Sequence, residues 1–595
     1  MSDYIYRKPA EKWVIAARKA DFDGLGRIFG LDPVTVRLMV NRGMDSEASI
    51  RSYLYDGEAQ MHDPALMKDL PKAADIVEAA IAESKAITVA ADYDSDGIFS
   101  GELLYEALTA LGGKVTVRTP HRVYDGYGLN ERIVREAAED GCGLLITCDN
   151  GISSFDAIIL AKQLGLTCIV TDHHEVPYED VDGERVYRLP EADAVVDPHR
   201  IDCPYPYKNL CGCGVALKLV QLLYSRRRMT LPDIFFEYAA IATVADVMPL
   251  TGENRIIVRE GLRRFKDGTS VGLSSLLAAA SLDRSRLSSQ NIGFVIGPRF
   301  NAAGRLDSVD PAISLLRARD LDTADRFAAV LGSLNDTRKD MTEDALAQAI
   351  DLIEHSELAF DRVLLVLLRD CHESIAGIVA GRLRERYGKP AFVFTQTETC
   401  LKGSGRSIPA YHMYGALTAH RELLLRFGGH AQAAGLSLAP DKLDELRRAL
   451  NADCGLTDDD LKVKVVIDAA MPLEYITEKL VDELALLEPV GGGNDRPLFA
   501  ERHFSLRSAV LIGKNRNVLK MRVENSAGCC MDALIFSGVD GFISEVCERF
   551  GQEEWQKAQL REANSIDVAL AYIPAVNEYM GKRTLQIIVQ NYMMN

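Results

Sequence analysis

Three carboxylates fall within six residues, in Asp92-Tyr93-Asp94-Ser95-Asp96-Gly97. If the backbone stays extended here, period-two alternation points all three the same way. Carboxylates gathered so closely repel one another and shift toward protonation unless a cation neutralises them, so a divalent metal is the simplest occupant. An acidic loop or a helix N-cap would use the same residue types. Asp149 in Thr147-Cys148-Asp149-Asn150-Gly151 and the run Asp172-His173-His174-Glu175 each follow a short apolar stretch, and Asp246 closes Thr243-Val244-Ala245-Asp246. Carboxylates with one or two imidazoles and no thiolate suit Mn²⁺ or Mg²⁺ better than structural zinc, with Mn²⁺ favoured where histidine contributes. So many carboxylates can hold two ions, and two ions about 3.5–4 Å apart clamp the attacking and leaving oxygens of phosphoryl transfer.

The elements around these residues explain how they could meet. Ala86–Ala91 reads as a strand ending at Asp92, Gly143–Cys148 as one ending at Asp149, and Thr167–Thr171 as one ending at Asp172, with Lys114–Arg118 a further strand. Helices over Ala73–Glu83, Gly101–Leu111 and Phe155–Leu164 separate them. Apolar strands alternating with helices indicate a parallel sheet buried on both faces. The C-terminal ends of such strands open on one edge, where ligands bind, so the acidic ends should converge there. Residues 215–265 read as mostly helical, Asp320–His355 as a long connecting helix, and Arg362–Leu367 as the start of a second α/β unit that runs to about Asp453. Beyond about Leu461 the pattern is strand-like, as in Val518–Val523, and a last hairpin from Ile566 to Val589 turns near Met580-Gly581-Lys582. Several short strands in about 130 residues suggest a small β-barrel.

At 595 residues the chain should form about three to five domains. Its 47% hydrophobic and 26% charged content excludes wholesale disorder, and 45 glycines with 21 prolines exclude a collagenous chain. A net charge of −18 argues against a protein that coats nucleic acid non-specifically, so any basic groove must be local. No stretch reaches the roughly 20 apolar residues that span a bilayer, and Met1–Lys8 lacks the apolar core of a secretory signal. Twelve cysteines without a Cys-x-x-Cys pair are expected to be reduced thiols in a cytoplasmic protein.

The ordered set Asp-x-Asp-x-Asp-Gly, Thr-x-Asp-Asn-Gly, Asp-His-His-Glu and Val244-Ala245-Asp246-Val247-Met248-Pro249-Leu250 resembles the DHH phosphoesterase superfamily, and within it the bacterial single-strand DNA exonucleases. The resemblance covers nearly the whole chain. It takes in His121-Arg122, Gly126-Tyr127-Gly128-Leu129, Pro298-Arg299-Phe300-Asn301-Ala302-Ala303-Gly304-Arg305, Gly377-Ile378-Val379-Ala380, Lys402-Gly403-Ser404-Gly405-Arg406-Ser407 and Phe427-Gly428-Gly429-His430-Ala431. Two departures stand out: Cys371-His372-Glu373-Ser374 replaces the family's usual Trp-His-x-Gly, and Asp495 stands where a proline usually follows Gly493-Asn494.

This resemblance implies an α/β fold in five parts. These are a helical segment (1–70), a parallel-sheet DHH domain (71–265), a helical connector (266–355), a smaller α/β DHHA1 domain (356–455) and an OB-like barrel (456–595). It implies one metal on Asp92, Asp94 and Asp149 and a second on Asp96, the shared Asp149, His173 and Asp246. His174 is then expected near the scissile phosphate, with Asp172 orienting the histidines. Arg122, Ser404 and Arg406 are expected to hold a 5′-terminal phosphate, with Gly428, Gly429 and His430 at the same cleft. The Gly-Ser-Gly-Arg-Ser run has the composition of a phosphate cradle in which small residues let backbone amides approach an anion. Asn301 and Arg305 are candidates for backbone phosphates, with a purely structural turn as the competing reading. Lys514, Arg516, Lys520 and Arg522 form either a strand-binding groove of the barrel or a solvated face.

The implied activity is 5′→3′ hydrolysis of single-stranded DNA to 5′-mononucleotides in recombination and repair. A single-strand-binding protein and a RecQ-type helicase are the implied partners, and a monomer is expected. A phosphodiesterase for short oligoribonucleotides or cyclic dinucleotides is the alternative; a manganese pyrophosphatase and a non-catalytic scaffold are weaker ones.

Overall fold

The computed structural model describes residues 8–122, 124–181, 184–579 and 581–595; residues 1–7, which carry most of the leader expectation, and Met580 in the expected last turn lie outside them. The chain divides into two compact units, one of residues 1–12, 61–248 and 257–463 and the other of 13–60, 249–256 and 464–595. Strand β1 (Glu11–Ile15) interrupts the segment expected to be helical.

In the first unit, β2 (Ala86–Ala91), β3 (Lys114–Arg118), β4 (Cys142–Cys148) and β5 (Thr167–Thr171) follow in order. After a hairpin of β6 (Tyr178–Val181) and β7 (Glu184–Tyr187) comes β8 (Ala194–Val196). The sheet has the order β3-β2-β4-β5-β8 with every neighbour parallel, and Val89 lies in register between Val117 and Ile146. Both faces are covered, as continuous apolar strands demand. Ile87, Val89, Leu144 and Ile146 face the helices Leu70–Ala82 and Ser95–Ala110, while Leu145, Cys168 and Val170 face Glu131–Glu139 and Phe155–Gln163. The second of these helices starts at Ser95, not at Gly101 as expected.

A single helix over Leu321–Glu354, 34 residues and so about 50 Å long, leads to the second α/β layer. There β9 (Leu364–Leu367), β10 (Ala391–Gln396), β11 (Leu401–Arg406), β12 (Arg426–Gly429) and β13 (Ala433–Leu438) pair in the order β12-β13-β11-β10-β9, parallel only between β9 and β10. Strand β14 (Val463–Ile467) pairs with β1.

In the second unit, β15 (Ala469–Ala470) lies beside β16 (Phe499–Ile512). Strands β17 (Val518–Asn525), β18 (Cys530–Ile535), β19 (Asp567–Tyr579) and β20 (Lys582–Met594) continue the sheet, and a β16–β19 pairing closes it into a five-strand barrel. Phe504, Leu506, Met521, Val523 and Tyr572 fill its core. All twelve cysteines are free thiols, and no helix among the described residues is long and apolar enough to cross a membrane.

Candidate metal centre

The run that opens the centre does not stay extended. Asp92 leaves β2, Asp94 is the N-cap of the Ser95–Ala110 helix, and Asp96 lies in its first turn. Asp94 Oδ1 accepts from the Gly97 amide at 3.1 Å. The expected alternation is therefore replaced by a strand end and a helix start, whose dipole tolerates negative charge. The carboxylates still gather. Asp96 is further held by the start of the next helix, Oδ2 accepting from the Gly212 amide at 2.6 Å and Oδ1 from Cys213 at 2.8 Å.

Asp149 follows β4 with a left-handed backbone, φ 61°, a conformation Asp tolerates better than most residues. Asp246 caps the C-terminus of the Asp233–Ala245 helix. The donor atoms of Asp92, Asp94 and Asp149 lie within 4.8 Å of one another, as do those of Asp96, His173 and Asp246, and those of Asp149, His173 and His174. His173 Nε2 is 3.0 Å from Asp149 Oδ1, 3.7 Å from Asp96 Oδ2 and 3.8 Å from Asp246 Oδ2. All six residues expected as ligands thus meet at one sheet edge.

The centre has the electrostatics of a cation site. Burial, then the neighbouring carboxylates, hold Asp92, Asp94 and Asp149 above the ordinary carboxylate range and push Asp246 to about 8. Burial lowers His173, which favours the neutral imidazole that can ligate. Asp92 Oδ1 and His173 Nε2 are buried with no hydrogen-bond partner, although such atoms are rarely left unsatisfied. Two orphaned ligand atoms facing buried carboxylates fit divalent cations, and Asp149 belongs to two of the three groups.

Asp172 plays a different part. Its Oδ2 accepts from the Ile152 amide at 2.8 Å; its Oδ1 accepts from the His173 amide at 2.7 Å and lies 2.7 Å from His174 Nδ1. Although burial opposes ionisation, these bonds keep its pKa low. Burial likewise opposes the His174 charge, but the Asp172 bond raises that pKa to about 9. Sequence reasoning missed two neighbours. The Tyr127 hydroxyl donates to the Asp149 carbonyl at 3.0 Å and sits 3.0 Å from His174 Nε2. Asp197, fully buried after β8 and pushed by burial to about 8, could have been found by the same strand-end logic.

The expected phosphate residues divide. Arg122 stacks over the Tyr93 ring at 5.1 Å. Arg305 donates to the Ser374 carbonyl at 2.9 Å, and burial with Arg122 nearby lowers its pKa to about 10. Asn301 Oδ1 is taken up by the Ser95 amide at 2.8 Å and hydroxyl at 2.9 Å, the structural reading. The Gly-Ser-Gly-Arg-Ser run is not a backbone cradle: Gly403 to Arg406 lie in β11, paired with β10 on one side and β13 on the other. A Cβ on Gly403 would lie 2.5 Å from the Phe394 ring and one on Gly405 2.6 Å from Phe392, so these glycines admit aromatic rings on one face. Ser404 and Arg406 point from the other face, with Arg406 over Gly377 of the Glu373–Tyr387 helix. His372, kept at the departed turn, is that helix's N-cap. Gly428 and Gly429 end edge strand β12, and the His430 amide bonds Ala433 in the turn to β13. In the barrel, Asp532 pairs with Lys520 at 2.8 Å and Arg522 at 2.9 Å, the solvated-face reading, while Lys514 and Arg516 lie in the turn between β16 and β17.

Comparisons with known proteins agree with this architecture. The DHH family N-terminal domain matches residues 86–245, the DHHA1 domain 361–455 and the RecJ OB domain 467–591. The single-stranded-DNA-specific exonuclease RecJ of Dickeya dadantii is 34% identical over 583 residues, covering 93% of this chain and 95% of that protein. Its Escherichia coli counterpart is 34% identical over 589 residues, with 94% and 96% covered. The Bacillus subtilis protein is 35% identical over 502 residues, 84% of this chain but only 62% of its own length. A crystal structure of RecJ with Mn²⁺ from Thermus thermophilus superposes with a TM-score of 0.80 at 26% identity, covering 100% of this chain and 80% of that one; the Mg²⁺ complex gives 0.75 at 25%, with 98% and 78% covered. Three domains in order, matched along nearly the full length of two relatives, place the chain in the RecJ family.

Proposed function

We propose that this protein is a metal-dependent exonuclease that hydrolyses single-stranded DNA from the 5′ end, releasing 5′-mononucleotides. The observation that carries the reading is the carboxylate–histidine cluster around Asp149, in a chain of the RecJ family. Asp92, Asp94 and Asp149 would hold one divalent cation, and Asp96, Asp149, His173 and Asp246 the other. When bound, such ions supply Lewis acidity and charge neutralisation at a phosphodiester.

The remaining steps belong to the side chains. The Tyr127 hydroxyl gives its proton to the Asp149 carbonyl, so its oxygen is free to accept from His174 Nε2. Asp172 fixes the other ring proton on Nδ1. His174 is thereby held as an imidazolium, able to turn a proton toward a phosphate oxygen as negative charge builds there. Arg122, Ser404 and Arg406 would anchor the 5′-terminal phosphate, Arg406 through a forked, permanently charged donor. With Asn301 engaged at the helix start, Arg305 is the better candidate for a backbone phosphate. A reduced, cytoplasmic setting, a monomeric state, and single-strand-binding protein and a helicase as partners complete the proposal.

Digestion of a single-stranded oligonucleotide labelled at either end tests it. Release of a 5′ label as mononucleotide with Mn²⁺, abolished by EDTA and far slower on blunt duplex, is the expected result. Survival of long DNA alongside hydrolysis of di- to pentanucleotides or cyclic dinucleotides would overturn the substrate assignment.

A further inference from the structure

Phe294 is 80% exposed, the most exposed phenylalanine among the described residues. Burying such a ring is worth a few kcal/mol in a fold, so its presentation to solvent calls for a cause. It sits in a π-helical stretch, Ile292–Ile296, that runs directly into the Gly297–Leu306 helix. Wide turns of this kind are rare and concentrate at functional sites. Two glycines press the stretch against the helix that ends at Asp246. A Cβ on Gly293 would lie 3.4 Å from Val244 Cγ1, and one on Gly297 2.9 Å from the Ala245 Cβ. Phe294 is thereby fixed beside the last turn leading to a candidate metal ligand. There a second apolar side chain, Val247, is 77% exposed on a left-handed backbone, φ 58°.

The same stretch carries a cation. Arg299 reaches back to donate from Nη1 to the Val295 carbonyl at 2.7 Å, setting its guanidinium against the residue next to Phe294. Burial lowers its pKa, with Asp336 as the acidic neighbour acting against that. An exposed aromatic ring with an arginine five residues further along is a combination that suits a sequence-tolerant single-strand site, the ring stacking a base and the cation taking the adjoining phosphate. No expectation drawn from the sequence gave either side chain a role.

We infer that Phe294 is a nucleobase-stacking residue of the strand path, and that Arg299 holds the phosphate beside the stacked base. The inference rests on the single-strand reading of the function. Phe294 would hold one nucleotide of the strand in place beside Asp246, limiting slippage between successive cuts. Since π-faces are common to all bases, the subsite would not read sequence.

Binding of 5′-phosphorylated oligothymidylate in EDTA, where nothing is cut, tests it with the full chain. Phe294→Ala should weaken binding about tenfold, the order of one lost base–aromatic stack, with an unchanged melting temperature because the ring is exposed. Phe294→Trp should restore affinity to within about twofold, and its added indole emission should be quenched by the DNA. Arg299→Gln should flatten the dependence of log Kd on log salt by about 0.7, one single-strand phosphate contact. Undiminished binding by Phe294→Ala, or an indole at 294 that saturating DNA leaves unquenched, would overturn the inference while the parent still digests DNA. A parent that binds no single strand would overturn the functional reading along with it.

Discussion

The two α/β layers of the first unit make the same electrostatic choice with opposite signs. At the edge of the parallel sheet, carboxylates outnumber the cationic side chains beside them, and burial with mutual repulsion holds Asp92, Asp94, Asp149 and Asp246 above the ordinary range. On the side of the second layer, Arg305, Arg338 and Arg406 are enclosed with lowered pKa values, burial first and other arginines next. The barrel does neither, since Lys520 and Arg522 share Asp532 at its surface. Like charges kept together without a partner cost folding free energy. Under the proposed function the counter-charge comes from outside, cations for the first cluster and phosphates for the second. Where the protein supplies the counter-charge itself, as at Asp532, nothing is left to recruit. In a chain of net charge −18 this separation would let the proposed nuclease bind a polyanion locally.

Several measurements can break or sharpen that contrast. The largest effect is expected at the acidic pole. Asp149→Ala removes the donor common to both ligand groups and should reduce DNA hydrolysis to background; the same variant should lose the rise in melting temperature that Mn²⁺ gives the parent. A scaffold would show neither change. At the basic pole, Arg406→Gln should weaken binding of a 5′-phosphorylated strand roughly ten- to hundredfold, since a charge-assisted bond is worth about 1.5–3 kcal/mol. A 5′-hydroxyl strand should feel little of that loss, and equal losses on both strands would remove the anchor from Arg406.

The acidic pole also predicts a pH dependence. Metal-free, Asp92, Asp94, Asp149 and Asp246 have folded-state pKa values raised above the unfolded value of about 3.9, Asp246 to about 8. Between those values the folded state binds more protons, so stability falls as pH rises toward 8. Cations need the ionised forms, so the Mn²⁺-induced gain in melting temperature should be larger at pH 8 than at pH 6. A gain that shrinks with rising pH would contradict the assignment of these groups as ligands. The smallest effect is expected at the barrel. Lys520→Gln or Arg522→Gln breaks an exposed ion pair worth about 0–1 kcal/mol, and strand affinity should change less than about twofold.

Much of this organisation was legible in the residues. The strands Ala86–Ala91 and Thr167–Thr171 were readable to the residue as short apolar runs buried on both faces, and Lys114–Arg118 as an alternating strand at the sheet edge. The long helix was readable to within one residue at each end. Convergence of the six ligand candidates followed from parallel topology, even though the local argument for Asp94 and Asp96 assumed an extended chain where a helix begins. Strand β1 was hidden because its partner β14 lies some 450 residues away and leaves no local pattern. The glycines of β11 were misread because room for a phosphate and room for a phenylalanine ring have the same composition. Only the sheet says which face the space is on.

The glycine at 212 shows how such a centre is specified. A methyl group there would lie 2.5 Å from the Asp149 Cβ, and one on Gly97 would lie 2.4 Å from the Asp92 carbonyl oxygen. The ligand positions are thus written twice in the chain, once as carboxylates and once as side chains that are absent. A redesign that transplants only the acidic residues into another parallel sheet would carry half of the instructions. The other half is the emptiness that lets a helix start close enough to hold Asp96 by two amides.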